Sequence, residues 1–301
     1  MERIYRITFK NDEVAKKLLK LKISFEMIDG LGFFKISEFD PKWPEIKNII
    51  KDFNLSSPFC ELKFTKKEIE EAEWLVVYPR SHWSYPQPED DEDEDEEEED
   101  NGPPKPSIFT YEKVTYNLEN YCLRCGIGAV QNRPFQLKKE PEWGSKHFLQ
   151  LNWVFDEYFV RSEVFNEIKK RKLTGVSSIT PIHYKTQKPL KTVVQLKIDY
   201  ILPPGIANKL EPIVCGKEKN PFPHLAKLPP CGRTKFYPIE SDQQLKIKKD
   251  IFKGAPDFVK TNEIFGDGAS AHREVIISGR VRDLILEKKW KGLILEPIEL
   301  V

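Results

Sequence analysis

The chain has 301 residues, of which 39% are hydrophobic, with 48 basic and 48 acidic side chains. This length suffices for one large or two ordinary globular domains, and we favour two. No apolar run approaches the roughly 20 residues of a membrane helix, and the start MERIYRITFK lacks a signal-peptide hydrophobic segment. We therefore expect a cytoplasmic protein with no membrane segment. Its five cysteines are expected to be reduced or metal-bound rather than joined in disulfides.

The balanced net charge hides an uneven distribution. Residues 89–100 are twelve consecutive acids, so the remainder of the chain carries 36 acids against 48 bases, a formal charge of +12. Such a run cannot fold compactly, and prolines flank it on both sides. We predict an acidic disordered linker at 84–107. It is either a solubilising linker or a phosphate-mimicking strap over a basic surface of this protein or of a partner.

The first 83 residues predict a small N-terminal α+β domain. Asn11 or Asp12 is placed to cap the first helix, and another helix follows Thr65. Cys60 follows Phe59 in an apolar strand and is predicted to be a buried structural thiol. The predicted strands are 3–9, 30–39, 59–65 and 74–80, and the predicted helices are 11–22, 41–53 and 66–73.

Residues 108–301 predict a larger C-terminal α+β domain, so the fold class is α+β throughout. The segment 107–118 reads as a strand. Residues 160–182 and 276–298 then form a repeat, in which each copy reads as strand, serine, helix, basic last turn, glycine, strand and Pro-Ile. We read these two strand-helix-strand units as scaffold. The predicted helix caps are Ser162 and Ser278, and the predicted left-handed exits are Gly175 and Gly292.

The segment YCLRCG contains the chain's one CxxC pair, Cys122 and Cys125, in a pattern typical of a zinc knuckle. A closed zinc site needs four ligands, and Cys231 in LPPCGR resembles half of a second, degenerate knuckle. Either Cys215 or His224 can complete the set; Cys215 is preferred because thiolate binds zinc strongly and a glycine follows it. The alternative is that these cysteines bind no metal. A zinc ion here would be structural.

Patterns typical of catalysis do not occur in the sequence. There is no HExxH, GxSxG or GxxxxGK[ST] motif, and FGDGASAH at 265–272 is predicted to be a turn before a strand. The histidines are scattered singly through the chain. We therefore expect a protein that is not an enzyme. The histidines are His82, His147, His183, His224 and His272.

Four segments together resemble the bacterial double-CXXCG motif family, some of whose members are immunity proteins of polymorphic toxin systems. They are YCLRCG, LPPCGR, the C-terminal SGRVRDLILEKKWKGLILEPIEL and the earlier TKKEIEEAEWLVV. The resemblance covers mainly residues 108–301. It implies that Cys122, Cys125 and Cys231 correspond to three of the family's four cysteines, whereas Leu228 stands at the fourth position.

The resemblance and the lack of a catalytic pattern favour a non-enzymatic binding protein. We expect an immunity protein that neutralises a cognate bacterial toxin by direct contact. Trp83, Tyr85 and Trp143 lie in polar segments and are the candidate exposed anchors for that partner. The alternative is a nucleic-acid-associated zinc-ribbon protein, suggested by the +12 charge outside the acidic run and by the basic stretch 245–250.

Overall fold

A computed structural model describes most of the chain and shows a mixed α+β protein with several small sheets, as the sequence predicts. The chain divides into two compact units: unit 1 comprises Met1–Glu71 and Ile239–Gln244, and unit 2 comprises Ala72–Pro238 and Leu245–Val301. The predicted linker at 84–107 lies outside the described residues. The described residues are 1–55, 59–83, 110–152, 154–219 and 221–301.

Unit 1 is built on one four-stranded antiparallel sheet. Its strand order, β2-β3-β1-β4, combined with the chain order β-α-β-β-α-β, is that of a ferredoxin-like arrangement. In chain order the elements are β1 (Glu2–Phe9), α1 (Asp12–Lys20), β2 (Glu26–Ile28), β3 (Leu31–Ser37), α2 (Trp43–Asp52), β4 (Phe59–Lys63) and α3 (Lys66–Glu71).

Local sequence signals explain the helices of unit 1. The Asn11 side chain accepts a hydrogen bond of 2.7 Å from the Glu13 N–H and caps α1, as predicted. At α3, Thr65 and Glu68 form a reciprocal capping box, because each side chain accepts the other's backbone N–H. Cys60 is 8% exposed, which confirms a buried thiol. The core of unit 1 is formed by buried apolar side chains of its helices and of its sheet. They include Ile7, Phe9, Val14, Leu18, Phe34, Ile36, Ile46 and Ile49.

Unit 2 contains two further four-stranded antiparallel sheets, with the orders β11-β13-β10-β9 and β17-β18-β5-β19. A 3₁₀ helix spans Lys249–Phe252. The remaining elements are β5 (Trp74–Pro79), α4 (Thr110–Thr115), β6 (Tyr116–Asn117), β7 (Val130–Gln131), β8 (Gln136–Leu137), β9 (Phe148–Leu149), β10 (Tyr158–Arg161), α5 (Ser162–Lys170), β11 (Ser177–Ile179), β12 (Ile182–His183), β13 (Val193–Lys197), β14 (Pro212–Val214), α6 (Pro223–Ala226), β15 (Thr234–Phe236), β16 (Lys246–Ile247), β17 (Phe258–Lys260), β18 (Val275–Ser278), α7 (Gly279–Glu287), β19 (Leu293–Pro297) and β20 (Glu299–Leu300).

The sequence repeat corresponds to a structural repeat. The units β10-α5-β11 and β18-α7-β19 are both strand-helix-strand, as predicted. In each unit the two strands are separated by one inserted antiparallel strand, which is β13 in the first sheet and β5 in the second. A fourth strand, β9 or β17, pairs with the first strand of the unit. The two sheets therefore share one spatial arrangement of strands, although the inserted strand follows the first unit in the chain and precedes the second.

The predicted serine caps of the repeat are correct only in part. Ser278 is the N-cap residue of α7, as predicted, whereas the N-cap residue of α5 is Arg161 and not Ser162. Neither serine side chain accepts a capping hydrogen bond: the Ser162 hydroxyl donates to the Lys191 carbonyl, and the Ser278 hydroxyl donates to Asp257 at 2.7 Å. The left-handed residues that directly follow α5 and α7 are Lys172 and Lys289. Gly175 and Gly292 do have positive φ, but they lie further on, where a Cβ would meet a carbonyl oxygen of a neighbouring strand.

Two elements depart from the sequence analysis. The strand β5, which the sequence placed in the N-terminal domain, belongs to unit 2 because its hydrogen-bond partners are β18 and β19. Residues Thr110–Thr115 form a short helix instead of a strand, and only Tyr116–Asn117 are extended in the described part of that segment. None of the helices in the described residues combines the length and hydrophobicity that crossing a membrane requires.

Glu296 in β19 gives a pH prediction. Burial, with a smaller contribution from nearby Glu274, raises the pKa of Glu296 to about 7. The unfolded chain ionises at its ordinary pKa near 4.5, so the folded state loses stability as pH rises from about 4.5 to about 7. The glutamine of Glu296→Gln does not titrate, so the variant avoids this loss. We expect its unfolding free energy, relative to that of wild type at the same pH, to be about 2 kcal/mol higher at pH 8 than at pH 4.5. Denaturant titrations at both pH values measure this; a difference that does not change with pH contradicts it.

Candidate metal centre

The first cysteine pair lies in the loop between β6 and β7. The Gly126 N–H donates to the Cys122 carbonyl at 2.7 Å, and the Cys122 N–H donates to the Ile127 carbonyl at 3.0 Å, which closes a tight turn. Gly126 has φ +77°, and a Cβ there would lie 1.9 Å from the Ala269 carbonyl oxygen. Only glycine fits this position, and the turn directs both cysteine side chains to one side.

The second pair lies on the β14–β15 hairpin. Cys215 directly follows β14, and its N–H donates to the Arg233 carbonyl at 2.9 Å. Cys231 precedes β15, and its N–H donates to the Cys215 sulfur at 3.4 Å. The antiparallel pairing of β14 with β15 thus brings together two cysteines that are far apart in sequence.

The four cysteine sulfurs form one cluster. All lie within 4.8 Å of one another; Cys122 Sγ is 3.8 Å from Cys215 Sγ, and Cys125 Sγ is 3.6 Å from Cys231 Sγ. Four sulfurs placed tetrahedrally at about 2.3 Å from one zinc ion would be about 3.8 Å apart. A disulfide would instead require about 2.05 Å. The four thiols therefore suit a closed metal site. Three are buried, whereas Cys231 is exposed.

Electrostatics differ among the four thiols. Burial raises the pKa of Cys125 and Cys215. Burial also opposes ionisation of Cys231, but the Arg233 Nε, which donates to its sulfur at 3.2 Å, and the other hydrogen bonds lower the pKa of Cys231 to about 6. Cys231 therefore ionises before Cys125 and Cys215. Metal binding must release protons from Cys125 and Cys215, since thiolates are the ligands.

An ion pair supports both halves of the cluster. Arg124, inside the CxxC pair, binds Glu218 through two nitrogens, with an Nη2–Oε2 distance of 2.7 Å. Its Nη1 donates to the carbonyls of Ala226 at 3.0 Å and Leu228 at 3.1 Å. Arg124 also holds the pKa of Glu218 down at about 2. Leu228 thus contributes a backbone oxygen to this network, and Cys215 supplies the fourth sulfur of the cluster. His224 is exposed and is not part of it.

Lys235 in β15 was missed by the sequence analysis. It is 1% exposed, and its Nζ donates to the carbonyls of Cys125 at 2.9 Å, Gly268 at 2.7 Å and Ser270 at 2.6 Å. Burial lowers its pKa. One ammonium group therefore joins the first cysteine loop, the β14–β15 hairpin and the loop at 266–271. The only sequence signal for it was a lysine in the middle of a short strand.

We expect Lys235→Met to lower the free energy of unfolding by about 3 kcal/mol, because three buried carbonyls lose their charged donor. Lys219→Met is the matched control. Lys219 is 86% exposed and pairs with Glu211 on the surface, so its loss should cost less than about 0.5 kcal/mol. Denaturant unfolding at fixed pH compares the two variants; equal effects would show that the three hydrogen bonds are not important for stability.

The two tryptophans that were predicted to be exposed partner anchors are buried. Trp83 is 9% exposed and Trp143 is 7% exposed, and both pack in a core cluster of unit 2 with Phe135 and Phe159. The Trp143 indole N–H also donates to Thr192 at 3.3 Å. The expectation that these two tryptophans are exposed is therefore corrected. The residues next to them in sequence, such as His82 and Glu142, are exposed, whereas the two indole rings are buried. Tyr85 lies outside the described residues.

No protein-family model matches this chain, and no curated protein matches it.

Proposed function

We propose that Cys122, Cys125, Cys215 and Cys231 hold a structural zinc ion. The supporting observation is the cluster of four sulfurs within 4.8 Å, with spacings near those of a tetrahedral zinc-thiolate site. Four protein ligands leave no coordination position for substrate, so the ion would stabilise the fold rather than take part in a reaction. It would join the β6–β7 loop to the β14–β15 hairpin.

We further propose that the protein is a non-enzymatic binding protein of the immunity type, which neutralises a cognate toxin by direct contact. The observation that carries this proposal is the paired arrangement of cysteines: YCLRCG supplies one pair, and Cys231 with Cys215 supplies the second in space. This extends the resemblance to the double-CXXCG family, in which two pairs are present. A rigid, metal-tied scaffold suits an inhibitor, because a preformed surface loses little conformational entropy on binding.

Co-expression tests the immunity proposal. A candidate toxin domain from an adjacent gene is expressed with and without this protein, and growth is followed together with pull-down of the complex. We expect growth to be restored and the two proteins to co-purify. If the toxin remains lethal and no complex forms, the immunity proposal is rejected, while the zinc proposal is unaffected.

A nucleic-acid-associated zinc-ribbon protein is the second candidate. The observation that favours it is that two β-hairpin loops contribute two cysteines each, as in zinc ribbons. The excess of bases outside the acidic run also suits phosphate. Binding of the full chain to single-stranded RNA and duplex DNA at increasing salt distinguishes the candidates. Tight binding that weakens steeply with salt, in a protein that gives no protection from the toxin, would favour the second candidate.

A further inference from the structure

A cleft of about 440 Å³ opens in unit 2 next to the candidate metal centre. This volume lies within the range of small-molecule sites. Its walls include the loop after Cys125, the segment Val154–Glu157, the end of β13 and the loop that precedes β18, together with residues of α4, β6 and β17. The loop after Cys125 and the loop before β18 also border the cysteine cluster, so the candidate metal centre adjoins two of these walls.

Buried charges form the floor of the cleft. Lys260 is 6% exposed, and its Nζ contacts Glu157 at 2.9 Å and Asp156 at 3.2 Å. The other Glu157 oxygen accepts from Gln195 Nε2 at 2.7 Å, and Gln195 exchanges two side-chain hydrogen bonds with Gln131. This network holds its carboxylates in fixed positions. A ligand would therefore meet preorganised charges.

Negative charge is in slight excess around the cleft. Four carboxylates line it against three bases. Each base already has acceptors. Lys260 binds the two floor carboxylates, Lys197 lies 3.5 Å from Asp199, and Arg273 donates to the carbonyls of Thr261 and Asn262. The fourth carboxylate, Glu112, accepts from the hydroxyl of Tyr121 at 3.3 Å.

Aromatic rings and apolar side chains surround this charge. Tyr116, Tyr121, Phe155 and His272 line the cleft, and the rings of Phe155 and His272 lie 5.3 Å apart. The His272 Nδ1 is buried without a hydrogen-bond partner among the described residues. Phe155 is 37% exposed, and at the rim Val130 is 63% and Ile201 is 45% exposed. Aromatic faces combined with carboxylates are a typical environment for organic cations.

We propose that this cleft binds an organic cation, of the guanidinium or alkylammonium class. A cation gains from the carboxylate in excess of the lining bases and from the π faces, whereas an anion would be repelled by that excess. The cleft is much larger than a bare metal ion needs, and its apolar rim suits an aliphatic stem. The cation is either the side chain of a basic residue in a protein partner or a free small molecule. The inference does not depend on the immunity proposal.

Calorimetric titration of the full-length, metal-loaded protein tests the chemistry. N-acetylargininamide represents a protein side chain, and agmatine represents a free small cation. N-acetylcitrullinamide is the neutral isostere, and phosphate is the anion. We expect saturable binding of a guanidinium compound, at least tenfold tighter than that of the citrulline compound. Tighter binding of agmatine identifies a free cation as the source, whereas tighter binding of the argininamide identifies a protein side chain. Both results support the cleft chemistry.

Three variants locate the binding. Glu112→Gln removes the carboxylate that is bound to a phenol, and Phe155→Ala removes the rim ring; each should weaken guanidinium binding about tenfold. Glu211→Gln, on a surface pair with Lys219, is the control and should leave binding unchanged. Unchanged thermal unfolding verifies that each variant is folded. The proposal would be overturned if Glu112→Gln and Phe155→Ala bound the guanidinium compound as tightly as the Glu211→Gln control. It would also be overturned if the protein preferred phosphate or the citrulline compound, or bound no cation.

Discussion

Replacing Cys215 with serine is expected to eliminate stoichiometric zinc and to lower the free energy of unfolding by at least about 3 kcal/mol. Cys215 Sγ lies 3.8 Å from Cys122 Sγ and accepts the Cys231 N–H, so it belongs to both halves of the cluster. A three-thiolate site with a serine hydroxyl binds zinc far more weakly than four thiolates do. Metal analysis of protein purified under reducing conditions, followed by chemical denaturation, measures both effects.

His224→Ala is the matched control for Cys215→Ser, because the sequence offered both residues as the fourth ligand. His224 is exposed and does not join the cluster, so its loss should leave zinc content unchanged. If His224→Ala releases the metal and Cys215→Ser does not, the ligand assignment is reversed. If neither wild type nor variant contains zinc, the four cysteines are free thiols. Removing zinc from wild type with a chelator should reproduce the stability loss of Cys215→Ser.

Gly126→Ala is expected to be among the most damaging single-methyl changes at the described residues. The new Cβ would lie 1.9 Å from the carbonyl oxygen of Ala269, a backbone atom that cannot rotate away, and φ is +77°. We expect a loss of more than about 4 kcal/mol of unfolding free energy, together with loss of metal, because the loop that holds Cys125 must shift.

Gly232→Ala provides a control that separates crowding from backbone strain. Gly232 also follows a cysteine and has φ +73°, but a Cβ there would meet no heavy atom within 4 Å. Its cost should be limited to the left-handed conformation, about 1 kcal/mol. Zinc content and denaturation midpoints of the two variants make the comparison. Similar losses in both would mean that backbone conformation alone determines the effect at Gly126.

Elements with strong local signals were predictable. Asn11 before an amphipathic run located α1, and Thr65 marked the start of α3, because a cap depends on a few adjacent residues. The repeat was visible for the same reason: periodicity and spacing within each strand-helix-strand unit are local. The Ser278 side chain does not cap α7 and instead donates to Asp257, a residue that sequence spacing cannot connect to it.

The nonlocal features were not predictable. The sequence predicts that Trp74–Pro79 is a strand but does not show which strands it pairs with. Because this segment lies close to β4 in the sequence, we expected it in the N-terminal domain, whereas it pairs with β18 and β19. At the metal centre, the CxxC pair was evident, whereas the choice of Cys215 over His224 depended on a preference for thiolate. The partners of Lys235 and the pairing of Arg124 with Glu218 could not be predicted, because the groups that they bind come from distant loops.

The position of β5 affects how the chain must fold during synthesis. Val76 pairs with Ile276 and Glu296, so a central strand of the second sheet is translated long before either neighbour. Until the ribosome has synthesised β18, the apolar residues Leu75 and Val77 have no sheet to join, and a chaperone or another chain can bind them. High contact order also makes this step slow. A fragment that begins at residue 108 lacks β5 altogether, and it would expose the facing edges of β18 and β19 to aggregation.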